Sequence, residues 1–264
     1  MPSLRPLPPL ALLAAMLGLA SGSAPQPPPP AAADLRPEFQ RLGLGPRQQG
    51  GRPTCSAFTV TTALEFAAAR RLGACPRLSV EFLNWAANQA RGDRDDGGYF
   101  SDLWRGFSAH GLCREDAMPY QPRFDPGHRP DAAAAADARK RLELALALHW
   151  IKEWDVTTGL TDAQFAAVKH TLDRGWPVCS GLHWPKAPRW PGGVLAMCPP
   201  DGVVDGHSVL LVGYRDDPAQ PGGGVLVFRN TSGPGHDGSM PYAYARAYTN
   251  DAAWISCDRP RRSR

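Results

Sequence analysis

The 264-residue sequence has little net charge and no stripe of basic residues. Its 29 Lys and Arg side chains nearly balance 25 Asp and Glu, which leaves a formal net charge of +4. The basic residues are scattered, apart from a C-terminal tail at residues 259–264 that we interpret as a solvated chain end. A nucleic-acid-binding protein usually carries a basic stripe or a binding motif, and neither is found here. We therefore expect no nucleic-acid partner.

The sequence also lacks a hydrophobic run long enough for a comfortable transmembrane helix. Residues 10–20 are apolar, whereas a bilayer span needs about 20 residues. Arg5 precedes this run, and small residues at 18–20 form a cleavage site like that of a secretory signal peptide. We predict a signal peptide at residues 1–20, a secreted or periplasmic location and no stable membrane insertion. An uncleaved membrane anchor is the alternative.

The segment that follows has little capacity to form a core. Residues 27–30 are four consecutive prolines, and Pro, Ala, Ser and Gly dominate residues 21–34. This composition is typical of a polyproline-type linker. We assign residues 21–46 to a Pro-rich linker and N-terminal extension, and we expect ordered structure to begin near Leu35.

Few side chains have the spacing of metal ligands. His110 and Cys113 do, but no second ligand pair follows, so we expect no metal and no cofactor. The six cysteines suit an exported protein in an oxidising compartment. If one is a free nucleophile, at most two disulfides form, and Cys75 with Cys113 is a reasonable pairing. The six are Cys55, Cys75, Cys113, Cys179, Cys198 and Cys257.

Helical patterns occupy the first half of the sequence and strand patterns the second. Gly, Pro and capping residues bound these segments. We predict helices at residues 55–71, 79–88, 99–110 and 161–174, and strands at residues 176–182, 208–214 and 224–230. The alanine-rich residues 131–148 suit either a helix or an ordered loop with one helix. Helices followed by antiparallel strands predict an α+β protein of two lobes with a cleft between them.

One cysteine has the setting of a nucleophile. Cys55 opens an apolar helical run, and the positive end of a helix dipole favours thiolate over thiol. Gln49 lies six residues earlier, so its amide and the Cys55 N–H could both bind a developing oxyanion. The alternative is a small structural cysteine at the start of a buried helix.

A cysteine nucleophile also needs a base and a group that orients the base. His207 directly precedes an apolar strand, and Asn230 ends the next strand. Adjacent antiparallel strands could bring these two side chains together, facing Cys55 from the second lobe. An asparagine carbonyl accepts the imidazole N–H without adding negative charge, which suits a thiolate–imidazolium pair. His183 is the alternative candidate for the base.

Three motifs in order resemble the papain-like cysteine peptidases. They are QG followed by CSAF at residues 49–58, GHSV at 206–209 and RNTSG at 229–233. The PYAY motif at 241–244 resembles a late strand of the bacterial branch. The resemblance implies an α+β, papain-like two-lobe fold over residues 47–264. Its helical lobe would span about 47–125, its β-barrel-like antiparallel lobe about 126–264, and the active-site cleft would lie between them.

The resemblance also implies a reaction and residue roles. The reaction is hydrolysis of peptide bonds in a peptide or protein substrate, through a thioester acyl-enzyme, by a monomer. Cys55 would be the nucleophile, His207 the base and then acid, Asn230 its orienting group, and Gln49 part of the oxyanion hole. The glycine pair Gly97-Gly98 would bind the substrate backbone.

Three positions depart from the family pattern. Arg52 replaces a cysteine that commonly forms a disulfide, while Ser56 and Ser232 replace tryptophans. The second tryptophan shields the His–Asn hydrogen bond in the family, and Trp184 or Trp254 could replace it here. These departures keep open a catalytically impaired papain-fold binding protein. A thioester-based acyltransferase is a further alternative.

Overall fold

The computed structural model describes residues 31–233 and 237–257, except for the side chain of Asp205. The predicted signal peptide and most of the predicted linker lie outside these residues. The helices are α1 (Arg36–Arg41), α2 (Cys55–Leu72), α3 (Val80–Arg91), α4 (Phe100–His110), α5 (Ala132–Arg139), α6 (Asp162–Asp173) and α7 (Tyr242–Tyr248). The strands are β1 (Ala32–Asp34), β2 (Leu146–Lys152), β3 (Val178–Pro185), β4 (Val203–Asp216), β5 (Gly224–Arg229), β6 (Asp237–Pro241) and β7 (Thr249–Cys257).

The predicted helix ends are set by local capping chemistry. Gly73 follows α2 in a left-handed conformation (φ 87°), which a residue with a Cβ adopts at a cost. Ser79 caps α3 by accepting a hydrogen bond from the Phe82 N–H. Thr161 caps α6 in a capping box with Gln164. The four helices predicted from the sequence are confirmed, with ends shifted by at most a few residues.

Helix α2 is the centre of the molecule. Its first fifteen residues, Cys55–Ala69, are all buried, because α3 and α4 pack on one side of the helix and strands β3, β4 and β7 on the other. Apart from Glu65, which pairs with Arg47 and Arg77, the side chains of this stretch are apolar or small, which suits such a position. The packing fixes Cys55, the first residue of α2, where the helices meet the sheet.

The sheet is antiparallel and open. Its strand order is β2-β7-β3-β4-β5-β6, with β1 pairing to β4 off this path. The prediction of a barrel-like lobe is therefore wrong, since the edge strands β2 and β6 do not pair with each other. Helix α2 packs on β3, β4 and β7, so it covers the buried face of the sheet although the sheet does not close into a barrel.

Several elements differ from the sequence predictions. Of residues 241–244, expected as a strand, Pro241 ends β6 and the other three begin α7, where the Tyr244 and Tyr248 rings pack one turn apart with centroids 4.9 Å apart. Alternating Tyr and Ala has a strand-like period, and tertiary packing overrides that preference. Strands β2 and β7 were not predicted, nor was β6 apart from its last residue, and β1 lies in the segment assigned to the linker.

The expected Cys75–Cys113 disulfide is not formed. All six cysteines lie within the described residues, and all are free thiols. The Cys75 thiol donates to the Pro76 carbonyl at 3.2 Å, whereas Cys113 is buried beside the Ser79 hydroxyl. Among the described residues, no helix has the length and apolarity that crossing a bilayer requires.

Candidate active site

Cys55 and His207 line one cavity between the helices and the sheet. The cavity has a volume of about 270 Å³, and Gly98 lies at its wall. Cys55 is 7% exposed, and its thiol lies 3.6 Å from the carbonyl oxygen of Gly206, the residue before His207. The structure thus brings together two of the predicted residues that are 152 positions apart in the sequence (207 − 55).

His207 and Asn230 are joined by a hydrogen bond. His207 lies within β4, Asn230 directly follows β5, and these neighbouring strands place His207 Nε2 2.9 Å from Asn230 Oδ1. The Asn230 amide nitrogen donates to the Ser232 carbonyl at 2.9 Å, which orients Oδ1 toward the imidazole. Because Oδ1 only accepts, Nε2 carries the hydrogen, and Nδ1 is left as the basic nitrogen.

Burial shifts the protonation equilibria of both candidate catalytic groups. Burial raises the pKa of the Cys55 thiol, although hydrogen bonds from Ser208 and Ser56 oppose this effect. Burial lowers the pKa of His207, and the bond to Asn230 opposes it. Both shifts favour an uncharged thiol and imidazole. The helix dipole at the N-terminus of α2 acts on Cys55 in the opposite direction, since it favours the thiolate.

Gln49 is held by hydrogen bonds at both ends of its amide. Its nitrogen donates to the Arg52 carbonyl at 2.9 Å, and its oxygen accepts from the Thr231 hydroxyl at 2.8 Å. The Gln49 backbone N–H also donates to the Thr231 carbonyl at 2.8 Å. An amide nitrogen carries two hydrogens, so the bond to Arg52 leaves one for another acceptor. Gln49 therefore has a fixed orientation and a second hydrogen to donate.

Known proteins resemble this chain in structure rather than in sequence. No protein-family model and no curated protein matches the sequence. Xylellain, a cysteine protease from Xylella fastidiosa, aligns over 88% of this chain and 88% of its own, with 21% identity and a TM-score of 0.66. The Carica candamarcensis cysteine protease CMS1MS2, solved in complex with E-64, aligns over 87% of this chain and 100% of its own, with 18% identity and a TM-score of 0.62.

Digestive procathepsin L 3 of Tenebrio molitor larval midgut aligns over 89% of this chain and 72% of its own, with 18% identity and a TM-score of 0.62. The chain has a papain-like fold. The resemblance inferred from three short motifs is thereby confirmed for the fold.

The two glycines of this papain-like fold have different surroundings. Gly98 lines the cavity, whereas the Gly97 N–H is already bonded to the Asn84 side chain at 2.8 Å. Gly97 has φ 80°, and a Cβ there would collide with the Pro53 carbonyl, so this position requires glycine. Of the two predicted substrate-binding glycines, Gly98 is the one whose backbone faces the cavity.

An indole from another strand covers His207. Trp184 of β3 has its ring centroid 4.5 Å from that of His207 and also packs edge-on against Phe228. Trp184 thereby covers the imidazole in this papain-like fold, in which Ser232 stands at the position of the usual tryptophan. Of the two aromatic candidates from the sequence, Trp184 contacts His207. Trp254 instead stacks on His149, with ring centroids 4.2 Å apart.

A buried arginine cluster replaces the disulfide that Arg52 makes impossible. The Arg52 guanidinium bonds Glu81 at 2.6 Å and Asp96 at 2.8 Å, and all three side chains are less than 10% exposed. The same guanidinium donates to the Gln121 carbonyl at 2.8 Å and lies over the Tyr120 ring. These carboxylates and hydrogen bonds raise the pKa of Arg52 despite its burial. The cluster ties the loop before Cys55 to α3 and to the turn before Gly97. No local pattern in the sequence indicates it beyond the missing cysteine at position 52.

Proposed function

We propose that the protein is an exported cysteine peptidase. In this proposal Cys55 is the nucleophile, His207 the general base and then acid, Asn230 its orienting group, and Gln49 an oxyanion donor. The observation that carries the proposal is the 2.9 Å bond from His207 to Asn230 at a cavity that also holds the Cys55 thiol. The papain-like fold adds support, since xylellain and CMS1MS2, two solved structures that resemble this chain, are named as cysteine proteases.

The first half of the reaction forms a thioester. His207 Nδ1 accepts the proton of the Cys55 thiol as Sγ attacks the substrate carbonyl carbon. The carbonyl π electrons move to oxygen, and this oxyanion accepts hydrogen bonds from the Cys55 backbone N–H and the second amide hydrogen of Gln49. The C–N bond then breaks while His207 returns its proton to the leaving amine.

The second half of the reaction releases the acid product. His207 removes a proton from water, and the resulting hydroxide attacks the thioester carbonyl carbon. Collapse of the second tetrahedral intermediate breaks the C–S bond, and the proton on His207 returns to the Cys55 sulfur. Asn230 holds the ring through both steps as a neutral acceptor.

An epoxysuccinyl inhibitor of thiol proteases tests the proposal. We expect covalent addition of one inhibitor to Cys55, detected by mass spectrometry of the tryptic peptides. Labelling should be absent in Cys55→Ala and slowed in His207→Ala. Folded protein that stays unlabelled and cleaves no peptide from a mixed library would contradict the proposal and favour the catalytically impaired binding protein. Transfer of the acyl group to an added amine in preference to water would favour an acyltransferase instead.

Two further parts of the proposal concern organisation and location. We propose a helical lobe of about residues 47–125, a β lobe of about 126–264, and export directed by residues 1–20. Expression with and without residues 1–20, followed by fractionation and N-terminal sequencing of the mature chain, tests the export. Retention of the full chain in the cytoplasm would contradict it.

A further inference from the structure

The hydroxyl of Tyr120 bonds both ends of the loop that precedes Cys55. It donates to the Gln49 carbonyl at 2.9 Å and lies 2.7 Å from the Thr54 hydroxyl. A carbonyl only accepts, and a phenol has one hydrogen, so that hydrogen belongs to the bond to Gln49. The Thr54 hydroxyl is therefore the donor to Tyr120. Burial raises the pKa of Tyr120 above its ordinary value, so the phenol keeps this hydrogen at neutral pH.

Thr54 occupies the N-cap position of α2 but does not cap the helix. A threonine at this position ordinarily accepts a hydrogen bond from a backbone N–H of the first turn. The Thr54 side chain is 0% exposed and makes no such bond, because its hydroxyl is directed to Tyr120. The Ser56 N–H of this first turn instead bonds to the Cys55 sulfur. The bond to Tyr120 thus keeps the N-terminus of α2 available to the thiol and to the proposed oxyanion.

The Tyr120 ring and backbone are themselves fixed. Phe58 of α2 packs edge-on against the ring with centroids 4.9 Å apart, and the Arg52 guanidinium lies 4.5 Å from the ring centroid. The Tyr120 backbone N–H donates to the Glu115 carboxylate at 3.0 Å, and Arg47 donates to the same carboxylate at 2.7 Å. Arg47 lies at the start of the loop that leads to α2, so Tyr120 is held firmly against this loop.

The bond to Tyr120 completes the contacts that orient Gln49. The side-chain amide and the backbone N–H of Gln49 are held by Arg52 and Thr231. Its backbone carbonyl is held by Tyr120. The next residue is Gly50, with φ 66°, and a glycine resists rotation of the backbone least. This part of the loop therefore depends on outside contacts for its conformation.

We propose that Tyr120 is a positioning residue of the proposed peptidase, whose hydroxyl fixes the Gln49 amide and the N-terminus of α2 as the two donors to the oxyanion. Tyr120 is not among the described residues that line the cavity of Cys55, so it acts through Gln49 and Thr54. The inference rests on the proposed peptidase function, and it adds to that function a residue outside the cavity.

Tyr120→Phe tests the role, because it keeps the ring and removes only the hydroxyl. We expect kcat for a fluorogenic peptide to fall about tenfold with little change in KM. A peptide aldehyde, which adds reversibly to the Cys55 sulfur, should bind about tenfold more weakly, since the oxygen of its tetrahedral adduct uses the same donors. The matched control is Tyr242→Phe, which removes a buried hydroxyl bonded to Asp216 at 2.6 Å and should keep the wild-type kcat.

Further variants separate positioning from general stability. In the Gln49→Ala background, Tyr120→Phe should lower kcat by less than about threefold, because the donor that it orients is absent. Thr54→Val should lower kcat about threefold, and Thr54→Ser, which restores the hydroxyl, should recover most of that loss. The Thr54 pair decides the question if Tyr120→Phe does not fold, as judged by circular dichroism. Equal kcat in Thr54→Val and Thr54→Ser would contradict the role of the hydroxyl.

The kinetic outcomes distinguish this inference from the peptidase proposal. If the wild type is labelled at Cys55 and cleaves peptides, an unchanged kcat in folded Tyr120→Phe overturns the inference and leaves the peptidase function standing. A loss that lies wholly in KM also overturns it, because oxyanion donors act on the transition state. A wild type that is neither labelled nor active overturns the peptidase function and this inference with it.

Discussion

The Trp184 indole lies on the imidazole of His207, with ring centroids 4.5 Å apart and planes tilted by 58°. The two residues come from neighbouring strands, β3 and β4. The Nε2 nitrogen of this imidazole is bonded to Asn230. The indole covers one side of the same ring and so keeps water from that side of the proposed base. In this chain the shielding group precedes the histidine in the sequence, whereas the family pattern places it after the asparagine.

Replacing Trp184 should weaken the proposed base. Trp184→Ala lets water reach the imidazole, so we expect kcat/KM to fall about 3- to 10-fold, the equivalent of an aromatic pair worth 0.5–1.5 kcal/mol. Trp184→Phe keeps an apolar ring and should retain most of the activity. Circular dichroism of both variants serves as the folding control. Equal activity of Trp184→Ala and the wild type would show that the indole has no such role.

The pKa of His207 should also respond to this substitution. Burial lowers the pKa of His207 below its ordinary value of 6.5, because the charged ring loses hydration. Trp184→Ala restores part of that hydration, so the pKa should rise toward 6.5. NMR titration in a Cys55→Ala background measures the imidazole without coupling to the thiol. A pKa that does not move, or that falls, contradicts the shielding.

Thr231 should act on catalysis through Gln49. Thr231→Val removes the hydroxyl that holds the Gln49 amide oxygen at 2.8 Å, and it keeps the shape of the side chain. We expect kcat to fall about tenfold with little change in KM, while Gln49→Ala, which removes the donor, should cost roughly 100-fold. In the Gln49→Ala background, Thr231→Val should have no further effect on kcat. Additive losses would mean that Thr231 acts by another route.

Arg52 should be a strong determinant of stability. Arg52→Met leaves the carboxylates of Glu81 and Asp96 buried without their partner, and breaking such an ion pair costs about 3–5 kcal/mol of unfolding free energy. Urea denaturation measures the change. The matched control is Arg41→Met, which removes an arginine that is 62% exposed and pairs with Glu38, and which should cost at most about 1 kcal/mol. Similar losses in the two variants would contradict the role of the cluster.

Because the cysteines are free thiols, we expect reducing agents to leave the stability of the protein unchanged. Because no disulfide links the six cysteines, dithiothreitol should leave the urea midpoint unchanged. Iodoacetamide added to denatured, unreduced protein should modify all six thiols, as counted by intact mass. Modification of four or fewer thiols would reveal a disulfide.

Local sequence patterns predicted much of the secondary structure and the α+β class. Ser79 and Gly73 bound helices because caps act within a few residues. The roles proposed for Cys55, His207 and Asn230 were also drawn from the sequence, since each stands in a short motif. The α7 helix and the open sheet were not predicted, because packing against neighbouring elements decides them.

The sequence by itself determined four helices, three strands of the sheet and the motifs of the candidate site. Only the tertiary structure decided how that site is supported. Arg52 donates hydrogen bonds to Glu81, Asp96 and Gln121, which lie 29, 44 and 69 positions after it in the chain. Trp184 contacts His207 from the neighbouring strand. Contacts between such distant segments leave no local periodicity in the sequence. They form only when the packing of α2 against the sheet brings those segments together.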